Sequence, residues 1–216
     1  MLEITNVKVK YKGRGGVVEA LRGVSLRLNN PLLVAVIGPS GSGKTTLLKA
    51  IAGRVPYEGS IKVMGLEVKD DRRKVDRLVF YLPVGEVLIN DLTVSESIEL
   101  ASMSNHGGSV GVGSLLEWLG LSNLGNRRII ELSTGEKRRV ELAVALIKGQ
   151  GIILIDEPTV GLDEDNARKV GELLKVASRQ GRLVIAATHD PILLEYSDLV
   201  YGMRDGLLHP YLRKLT

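Results

Sequence analysis

An uninterrupted apolar run from Leu32 to Ile37 ends directly at a glycine-rich segment, Gly38-Pro39-Ser40-Gly41-Ser42-Gly43-Lys44-Thr45-Thr46. The run predicts a strand buried on both faces, and the mostly apolar residues after Thr46 predict a helix. Glycines placed between a strand and a helix let backbone N–H groups approach a phosphate closely, because no Cβ stands in the way. The helix start adds unpaired N–H groups and the positive end of the helix dipole. The segment therefore predicts an α/β core that carries a phosphate site.

The side chains of this segment match the P-loop pattern, Gly38-x-x-x-x-Gly43-Lys44-Thr45, in full. The ammonium of Lys44 is expected at the β- and γ-phosphates of a nucleotide, and the hydroxyl of Thr45 on Mg²⁺. A chance glycine-rich turn before a helix is the alternative, and the buried strand ahead of the loop disfavours it. The predicted nucleotide-binding residues are Gly38, Pro39, Ser40, Gly41, Ser42, Gly43, Lys44, Thr45 and Thr46.

A second apolar run, Ile152 to Ile155, ends in two carboxylates, Asp156 and Glu157. A parallel strand delivers the residues at its carboxyl end to the ligand crevice of the sheet. Asp156 is predicted to hold Mg²⁺, and Glu157 to orient or deprotonate the attacking water. The alternative is a carboxylate pair that caps a following helix.

A second helix start lies between these runs, at Leu132-Ser133-Thr134-Gly135-Glu136. Ser133 and Glu136 have capping-box spacing, and the apolar positions beyond them predict a long helix. Alone, this spacing favours a purely structural cap. Its place just upstream of the strand that carries Asp156 favours a second phosphate site instead.

The rest of the chain predicts further strands and an inserted helical region. Thr93 to Glu96 has capping-box spacing and opens a helix through Leu100, whereas the segment from Gly107 to Gly113 predicts a loop. Another short helix is predicted at Leu115 to Leu119. The other predicted strands are Leu2–Tyr11 and Val24–Leu28, which alternate as half-exposed strands do, and the apolar Leu78–Leu82 and Leu183–Ala187.

Length, composition and charge limit the domain number, the cysteine chemistry, the location and the binding partners that the chain can have. A length of 216 residues suits one domain with an insert, and the absence of cysteine excludes disulfides, thiolate metal sites and cysteine nucleophiles. No apolar run approaches the roughly 20 residues that span a bilayer, and no signal peptide is evident at the start, so a cytoplasmic location is expected. The net charge is +4. Its basic clusters lack interleaved aromatic residues, so they indicate surface charge rather than nucleic-acid binding: Arg72-Arg73-Lys74, Arg127-Arg128 and Lys137-Arg138-Arg139.

Over essentially its whole length the chain resembles the nucleotide-binding domains of ATP-binding cassette (ABC) ATPases. The resemblance rests on motifs in the family's order, and it adds Tyr11 where the family places an aromatic ring against adenine. It implies a P-loop NTPase core (about residues 1–83 and 131–216) with a mostly parallel sheet, an N-terminal antiparallel β subdomain and a helical insert (about 84–130). The matching segments are Gly38–Thr46 (Walker A), Leu132–Glu136 (signature), Ile152–Glu157 (Walker B), Gly161–Asp163 (D-loop) and Thr188–Asp190 (switch histidine).

The resemblance also implies a mechanism that uses ATP and Mg²⁺. Two cassettes, either two copies of this chain or this chain and a related one, pair head to tail. Each ATP then lies between one chain's Walker A and the other chain's Ser133, Gly135 and Glu136. Asp163 is expected to make contacts across the interface, and His189 to contact the γ-phosphate. Closing and opening of the pair would drive separate transmembrane subunits, with the chain peripheral on the cytoplasmic face of the membrane.

Three residues depart from the family's pattern. Val84 stands where the family usually has a glutamine that contacts Mg²⁺ and the water, so altered coupling or slower hydrolysis is expected unless Glu86 substitutes. Thr134 and Glu136 replace the common glycine and glutamine of the signature. Because Ser133 and Gly135 remain, phosphate binding at this second site is expected to survive.

The leading interpretation is the ATPase subunit of a membrane transporter, of unassigned substrate. The run from Ser133 to Arg139 looks most like exporter-type and ABC-2-like systems. The alternative is a soluble, non-transport ABC ATPase of an assembly or repair complex. A small-molecule P-loop kinase would leave Ser133–Glu136 and Thr188-His189 without a role.

Overall fold

A computed structural model describes residues 1–13, 16–85, 87–103 and 112–211. The predictions made for Glu86, and for most of the loop from Gly107 to Gly113, lie outside the described residues. The strands are β1 (Leu2–Gly13), β2 (Gly16–Leu28), β3 (Leu33–Ile37), β4 (Glu58–Val63), β5 (Leu66–Glu67), β6 (Val79–Leu82), β7 (Ile152–Asp156), β8 (Leu183–Thr188), β9 (Leu199–Arg204) and β10 (Leu207–Pro210). The helices are α1 (Lys44–Ile51), α2 (Arg72–Leu78), α3 (Val94–Met103), α4 (Val112–Trp118), α5 (Thr134–Lys148), α6 (Glu164–Arg179) and α7 (Pro191–Tyr196).

The chain begins with an antiparallel sheet in the order β2-β1-β4-β5. Strand β1 pairs with both β2 and β4, and its register shifts near Thr5 and Lys8. Its apolar residues point to the interior, as the alternating sequence predicts; Leu2, Ile4, Val7 and Val9 are buried. Strand β2 is longer than predicted, because its pairing with β1 continues back to the turn between them.

The central sheet has the order β10-β9-β3-β8-β7-β6 and is parallel except for β10. Both faces of its central strands are covered, so β3, β7 and β8 are buried along almost their whole length. Residues that alternate along β7 illustrate this: Ile153 and Ile155 pack with α5 and α6, whereas Ile152 and Leu154 pack with α1 and the N-terminal sheet. The predicted α/β fold, with its mostly parallel sheet and antiparallel N-terminal sheet, is confirmed.

In the described residues between β6 and α5 the chain forms the α-helices α3 and α4 and two short 3-10 helices. Helix α3 begins with the predicted capping box, in which the Glu96 N–H donates to Thr93 Oγ1 (3.2 Å) and the Thr93 N–H donates to a Glu96 carboxylate oxygen (2.7 Å). Helix α4 begins at residue 112, earlier than predicted, and ends before Gly120, whose φ of 63° is a left-handed conformation. Both helices pack against α5. The division into a core and a helical insert stays a prediction.

Two further features of the fold differ from the sequence-based prediction. Leu78 ends α2, so the strand expected from Leu78 begins at Val79 instead. The hairpin of β9 and β10 was not predicted, and it extends the central sheet beyond β3.

Candidate functional site

The glycine-rich loop connects β3 to α1, as predicted, and wraps around the side chain of Lys44. The Lys44 ammonium donates to the carbonyl oxygens of Gly38 (2.8 Å) and Pro39 (3.2 Å) and is almost fully buried. Gly43 has a φ of 109°, and a Cβ there would lie 2.5 Å from the carbonyl oxygen of Ala20. Only glycine fits this position, because both the backbone conformation and the space exclude a side chain.

The loop forms one wall of a cleft of about 730 Å³. The opposite wall comes from the carboxyl ends of β6, β7 and β8, where a parallel sheet places ligand-binding residues. The predicted Walker A, Walker B and switch-histidine residues therefore meet in one place. The cleft is lined by Gly38–Thr46 together with Ala20, Lys49, Tyr81, Pro83, Val84, Asp156, Glu157 and His189.

Thr45 and Asp156, the two residues predicted to hold Mg²⁺, both line this cleft and are in contact. The Thr45 hydroxyl donates to Oδ2 of Asp156 at 2.6 Å, and Asp156 is only 3% exposed. Burial raises the pKa of the Asp156 carboxyl, and its Oδ1 is buried with no hydrogen-bond partner among the residues that the structure describes. A hydroxyl beside a carboxylate with a free oxygen suits Mg²⁺, which binds through one or two protein oxygens and substrate phosphates. The residues present therefore fit the metal that the resemblance implies.

Glu157 and His189, the two predicted catalytic residues, are in direct contact. Oε2 of Glu157 lies 2.9 Å from Nδ1 of His189. Glu157 has a φ of 48°, an uncommon left-handed conformation for a residue with a side chain, and its N–H donates to the Ala187 carbonyl at 2.8 Å. This backbone turn aims the carboxylate into the cleft. The imidazole is 75% exposed at the mouth of the cleft, where it can reach a ligand.

The second predicted helix start, at Ser133, is present, but it lies outside the first cleft. Ser133 caps α5, and its capping box is complete: the Glu136 N–H donates to Ser133 Oγ (3.3 Å) and the Ser133 N–H donates to Oε2 of Glu136 (2.8 Å). These hydrogen bonds hold the pKa of the Glu136 carboxyl below its usual range. A separate cleft of about 390 Å³ is lined by Ser133–Glu136, Arg139, Gly161–Asp163 and Asn166, and none of these residues lines the first cleft.

The D-loop residues lie against this second helix start. A Cβ on Gly135 would lie 2.9 Å from the carbonyl oxygen of Gly161, so the two loops touch through their backbones. Asp163 caps α6 by accepting from the Asn166 N–H at 2.8 Å. The structure thus joins Ser133, Gly135, Glu136 and Asp163 into one group, apart from the P-loop of the same chain.

Tyr11 lies beside the P-loop helix rather than in the wall of the first cleft. Its hydroxyl is 3.5 Å from Oγ1 of Thr46, and the side chain is 41% exposed. Ala20, on the neighbouring strand β2, lines the cleft at this side. The exposure argues against a core-packing role for Tyr11, and its contact with adenine stays a prediction.

Two residues that sequence reasoning did not select, Tyr81 and Arg138, also lie at or directly behind this cleft. Tyr81, in β6, lies in the cleft wall with a buried hydroxyl that has no hydrogen-bond partner among the described residues. Burial, followed by the charge of Asp156, raises the pKa of Tyr81 to about 12, so the hydroxyl stays protonated. Val84, which replaces the family's usual glutamine, lines the same cleft wall; it contributes no polar group and is 51% exposed.

The other overlooked residue is Arg138, which corrects the interpretation of its basic cluster as surface charge. Arg138 is only 3% exposed, because its guanidinium turns inward to backbone carbonyls behind the first cleft. The helical period of α5 could have identified it, since Arg138 is followed by the buried residues Glu141 and Leu142 on the same helix.

Residues 21–160, more than half of the chain, match the family model described as ABC transporter. The chain belongs to the ABC transporter family. Over 96% of its length the cassette is 35% identical to the macrolide export ATP-binding/permease protein MacB of Chlorobaculum tepidum. It is 34% identical over 95% of its length to the pyoverdine export ATP-binding/permease protein PvdT of Pseudomonas aeruginosa. The cassette spans about a third of the length of these two relatives.

Solved structures agree with this assignment. The dimeric structure of MJ0796, a bacterial ABC transporter cassette, superposes with a TM-score of 0.85 at 29% identity and covers 97% of both chains. A post-hydrolysis state of MJ0796 bound to ADP and Pi gives a TM-score of 0.86 at 28% identity. The predicted family, ATP binding and ATPase class are thereby confirmed. Within the part of the chain that the structure describes, no helix is both long and apolar enough to cross a bilayer.

Proposed function

We propose that this cassette hydrolyses MgATP in a head-to-tail pair and thereby powers a transmembrane permease. The observation that carries the proposal is the separation of its two phosphate-binding helix starts into two clefts that share no residue. One chain cannot direct both helix starts at a single ATP. A second chain in inverted orientation can present its Ser133 helix start to the first chain's P-loop.

In the first cleft each residue has a separate task. The backbone N–H groups from Gly41 to Thr45 and the ammonium of Lys44 hold the β- and γ-phosphates. Thr45 and Asp156 would hold Mg²⁺, which supplies charge neutralisation on the phosphate oxygens. Glu157 accepts the proton of the attacking water, because its carboxylate faces the cleft beside His189.

His189 is proposed to contact the γ-phosphate. The imidazole is largely exposed at the cleft mouth, and one nitrogen is already engaged by Glu157, so the other nitrogen is available to the ligand. A single side chain would thus sense the γ-phosphate and orient the base. Tyr11 is proposed to lie against the adenine ring at the exposed edge of the same cleft.

The second cleft would complete the partner's site. Ser133, Gly135 and Glu136 lie at the N-terminal end of α5, where the helix dipole favours the γ-phosphate of an ATP held by the other chain. Asp163 lies beside them and would make contacts across the interface. The dimeric structure of MJ0796, which this chain matches over 97% of its length, supports such a pair.

The permease is proposed from the relatives. MacB and PvdT are export ATP-binding/permease proteins by name, so an exporter permease is the partner that the similarity favours. We propose that the cassette docks on a transmembrane permease at the cytoplasmic face of the membrane. None of the relatives compared favours the assembly-complex alternative.

Mixing two inactive variants tests the two-chain site. Lys44→Ala destroys the P-loop half, and Ser133→Phe destroys the signature half, so each homodimer has no complete site. A mixed dimer regains one complete site, formed by the P-loop of the Ser133→Phe chain and the Ser133 of the Lys44→Ala chain. In a single-turnover assay the equimolar mixture should release phosphate from on the order of a quarter of the sites, given random pairing. No phosphate release from the mixture would refute the pairing.

A further inference from the structure

Arg138 and Glu141 form a buried ion pair within α5, the helix that begins at Ser133. Nη1 of Arg138 lies 2.7 Å from Oε2 of Glu141, and their side chains are 3% and 9% exposed. Burial of two charges costs more than their attraction returns unless further hydrogen bonds satisfy them. The pair therefore needs an explanation beyond stability, and its other contacts provide one.

The guanidinium of Arg138 joins α5 to the end of β7. Nη2 donates to the carbonyl oxygen of Glu157 at 3.1 Å and also to the carbonyl oxygen of Asp156. These are the backbone groups of the proposed base and the proposed metal ligand. No other side chain in the described ranges donates to either carbonyl, so Arg138 is the side-chain support of this turn.

The same pair joins α5 to the segment that contains Val84. Nη1 of Arg138 donates to the carbonyl oxygen of Pro83 at 3.1 Å, and the carboxylate of Glu141 accepts from the backbone N–H of Val87. Pro83 and Val87 lie on either side of the position where the family's usual glutamine is replaced. The ion pair thus connects three elements: α5, the end of β7 and the segment after β6.

The contact with Glu157 bears on the conformation of the base. A left-handed conformation is unfavourable at a residue with a side chain, so it must be held by its surroundings. The Glu157 N–H is held by the Ala187 carbonyl, and its C=O is held by Arg138. If Arg138 moves with α5, the peptide that aims the Glu157 carboxylate moves with it.

We propose that Arg138 is a positioning residue that couples the two ATP sites of the pair. The proposal rests on the head-to-tail pairing given above. In that pairing, Ser133 of one chain contacts the ATP held by its partner, whereas the Glu157 held by Arg138 serves the ATP of its own chain. Ser133 and Arg138 lie five residues apart on one helix. Closure of α5 onto one ATP is thereby transmitted to the base that acts on the other ATP.

The test is a variant that removes both buried charges, Arg138→Met with Glu141→Leu, because removal of one partner would strand the other charge. The matched control removes an exposed i, i+4 pair on α6, Glu164→Leu with Arg168→Met. For each protein we would measure the ATP affinity of the monomer, the steady-state kcat and the Hill coefficient for ATP. Arg138→Lys is the second variant, since it keeps the charge but loses the fork that spans two carbonyls.

In the Arg138/Glu141 variant, the Hill coefficient should fall from about 2 toward 1, and kcat by about tenfold or more, with monomer affinity unchanged within about twofold. The control pair should leave all three values as in the wild type. Arg138→Lys should lower the Hill coefficient by a smaller amount. If the double variant does not fold, the Hill coefficient of Arg138→Lys tests the coupling instead.

A wild-type Hill coefficient in the Arg138/Glu141 variant would overturn the proposal, as would a wild-type protein with a Hill coefficient near 1. A fall in kcat alone would overturn the coupling as well. Phosphate release in the mixing experiment, with no change in cooperativity here, would refute the coupling but leave the paired site intact. Failure of the mixing experiment would refute the pairing itself.

Discussion

The Thr45 hydroxyl lies 2.6 Å from Oδ2 of Asp156, although 111 positions separate the two residues in the chain. The contact joins the first turn of α1 to the end of β7, and it orients one oxygen of a carboxylate whose other oxygen has no partner in the described part of the chain. A buried carboxylate oxygen without a partner is costly in a folded protein. The arrangement is expected where a cation completes the site.

Asp156→Asn should therefore impair the use of Mg²⁺ more than the binding of the nucleotide. The amide keeps the shape but removes the charge, so we expect the half-saturating Mg²⁺ concentration for hydrolysis to rise by about tenfold or more. Binding of ATP in the presence of EDTA should not weaken. A Mg²⁺ titration of phosphate release measures the effect, with Asp76→Asn on α2 as the exposed control. An unchanged Mg²⁺ requirement would contradict the assignment.

Glu157→Gln should stop hydrolysis while ATP binding remains. Glutamine preserves the length of the side chain and the backbone contacts at this turn, but it cannot accept the proton of water. We expect the rate to fall by about 10²- to 10⁴-fold, the usual contribution of a general base. His189→Ala should lower the rate by less than Glu157→Gln does, because it removes the contact that orients the carboxylate but keeps the carboxylate itself. Single-turnover kinetics with measured ATP affinities would test both variants, and a Glu157→Gln protein with normal turnover would exclude Glu157 as the base.

Ser133→Ala should abolish hydrolysis without affecting the binding of ATP to the monomer. The substitution also removes a helix cap, which costs about 1 kcal/mol of stability. Thr93→Ala removes the corresponding cap of α3 and controls for that loss. Both variants should show similar decreases in thermal stability, but only Ser133→Ala should lose activity. Weaker ATP binding by the Ser133→Ala monomer would show that Ser133 contacts the ATP of its own chain, which would contradict the proposed pairing.

Val84→Gln should raise the rate of ATP hydrolysis several-fold, since it adds a polar group to a cleft wall that is apolar at this position. Val84→Leu serves as the control, because it enlarges the side chain without a hydrogen-bonding group. Steady-state ATPase measurements over a range of Mg²⁺ concentrations would test this. An unchanged rate and an unchanged Mg²⁺ dependence would mean that position 84 does not limit this enzyme.

Gly171→Ala should destabilise the protein, although alanine is the better helix former by about 1 kcal/mol. A Cβ on Gly171 in α6 would lie 2.3 Å from the ring of Tyr196 in α7, so the two helices could not keep their distance. We expect a net loss of about 1–2 kcal/mol in thermal or denaturant unfolding. In a Tyr196→Ala background the same substitution should become stabilising. A destabilisation of equal size in both backgrounds would exclude the steric explanation.

The sequence predicts the central strands and the first cleft well because local patterns determine them. The buried runs that end at Ile37 and at Asp156 are apolar on both faces, and only a parallel sheet with two covered faces accommodates such runs. The parallel arrangement then brings Asp156 and His189 to the edge where the P-loop lies. These residues could be assigned before any coordinates.

Arg138, Tyr81 and the hairpin of β9 and β10 could not be found in the same way. Arg138 stands in a basic run; the helical period of α5 places it on the same face as Leu142, but only the tertiary position of α5 shows that its guanidinium meets the backbone of Glu157. The unpaired hydroxyl of Tyr81 depends on what surrounds it rather than on the sequence of β6. The hairpin forms because β3 accepts β9 as its parallel neighbour, a pairing between residues about 165 positions apart.

The pairing of β3 with β9 determines when the P-loop can fold during synthesis on the ribosome. The strand that leads into the P-loop has both of its neighbours in the last part of the chain, β8 and β9. The loop itself accepts a hydrogen bond at the Ser42 carbonyl from the Gly206 N–H (3.0 Å), and the Gly206 carbonyl in turn accepts from the Arg22 N–H (2.9 Å). Contacts this distant in sequence form late, because the loop they close must first be synthesised. Nascent chains that end before Gly206 should therefore bind no ATP, although every residue of the P-loop left the ribosome long before.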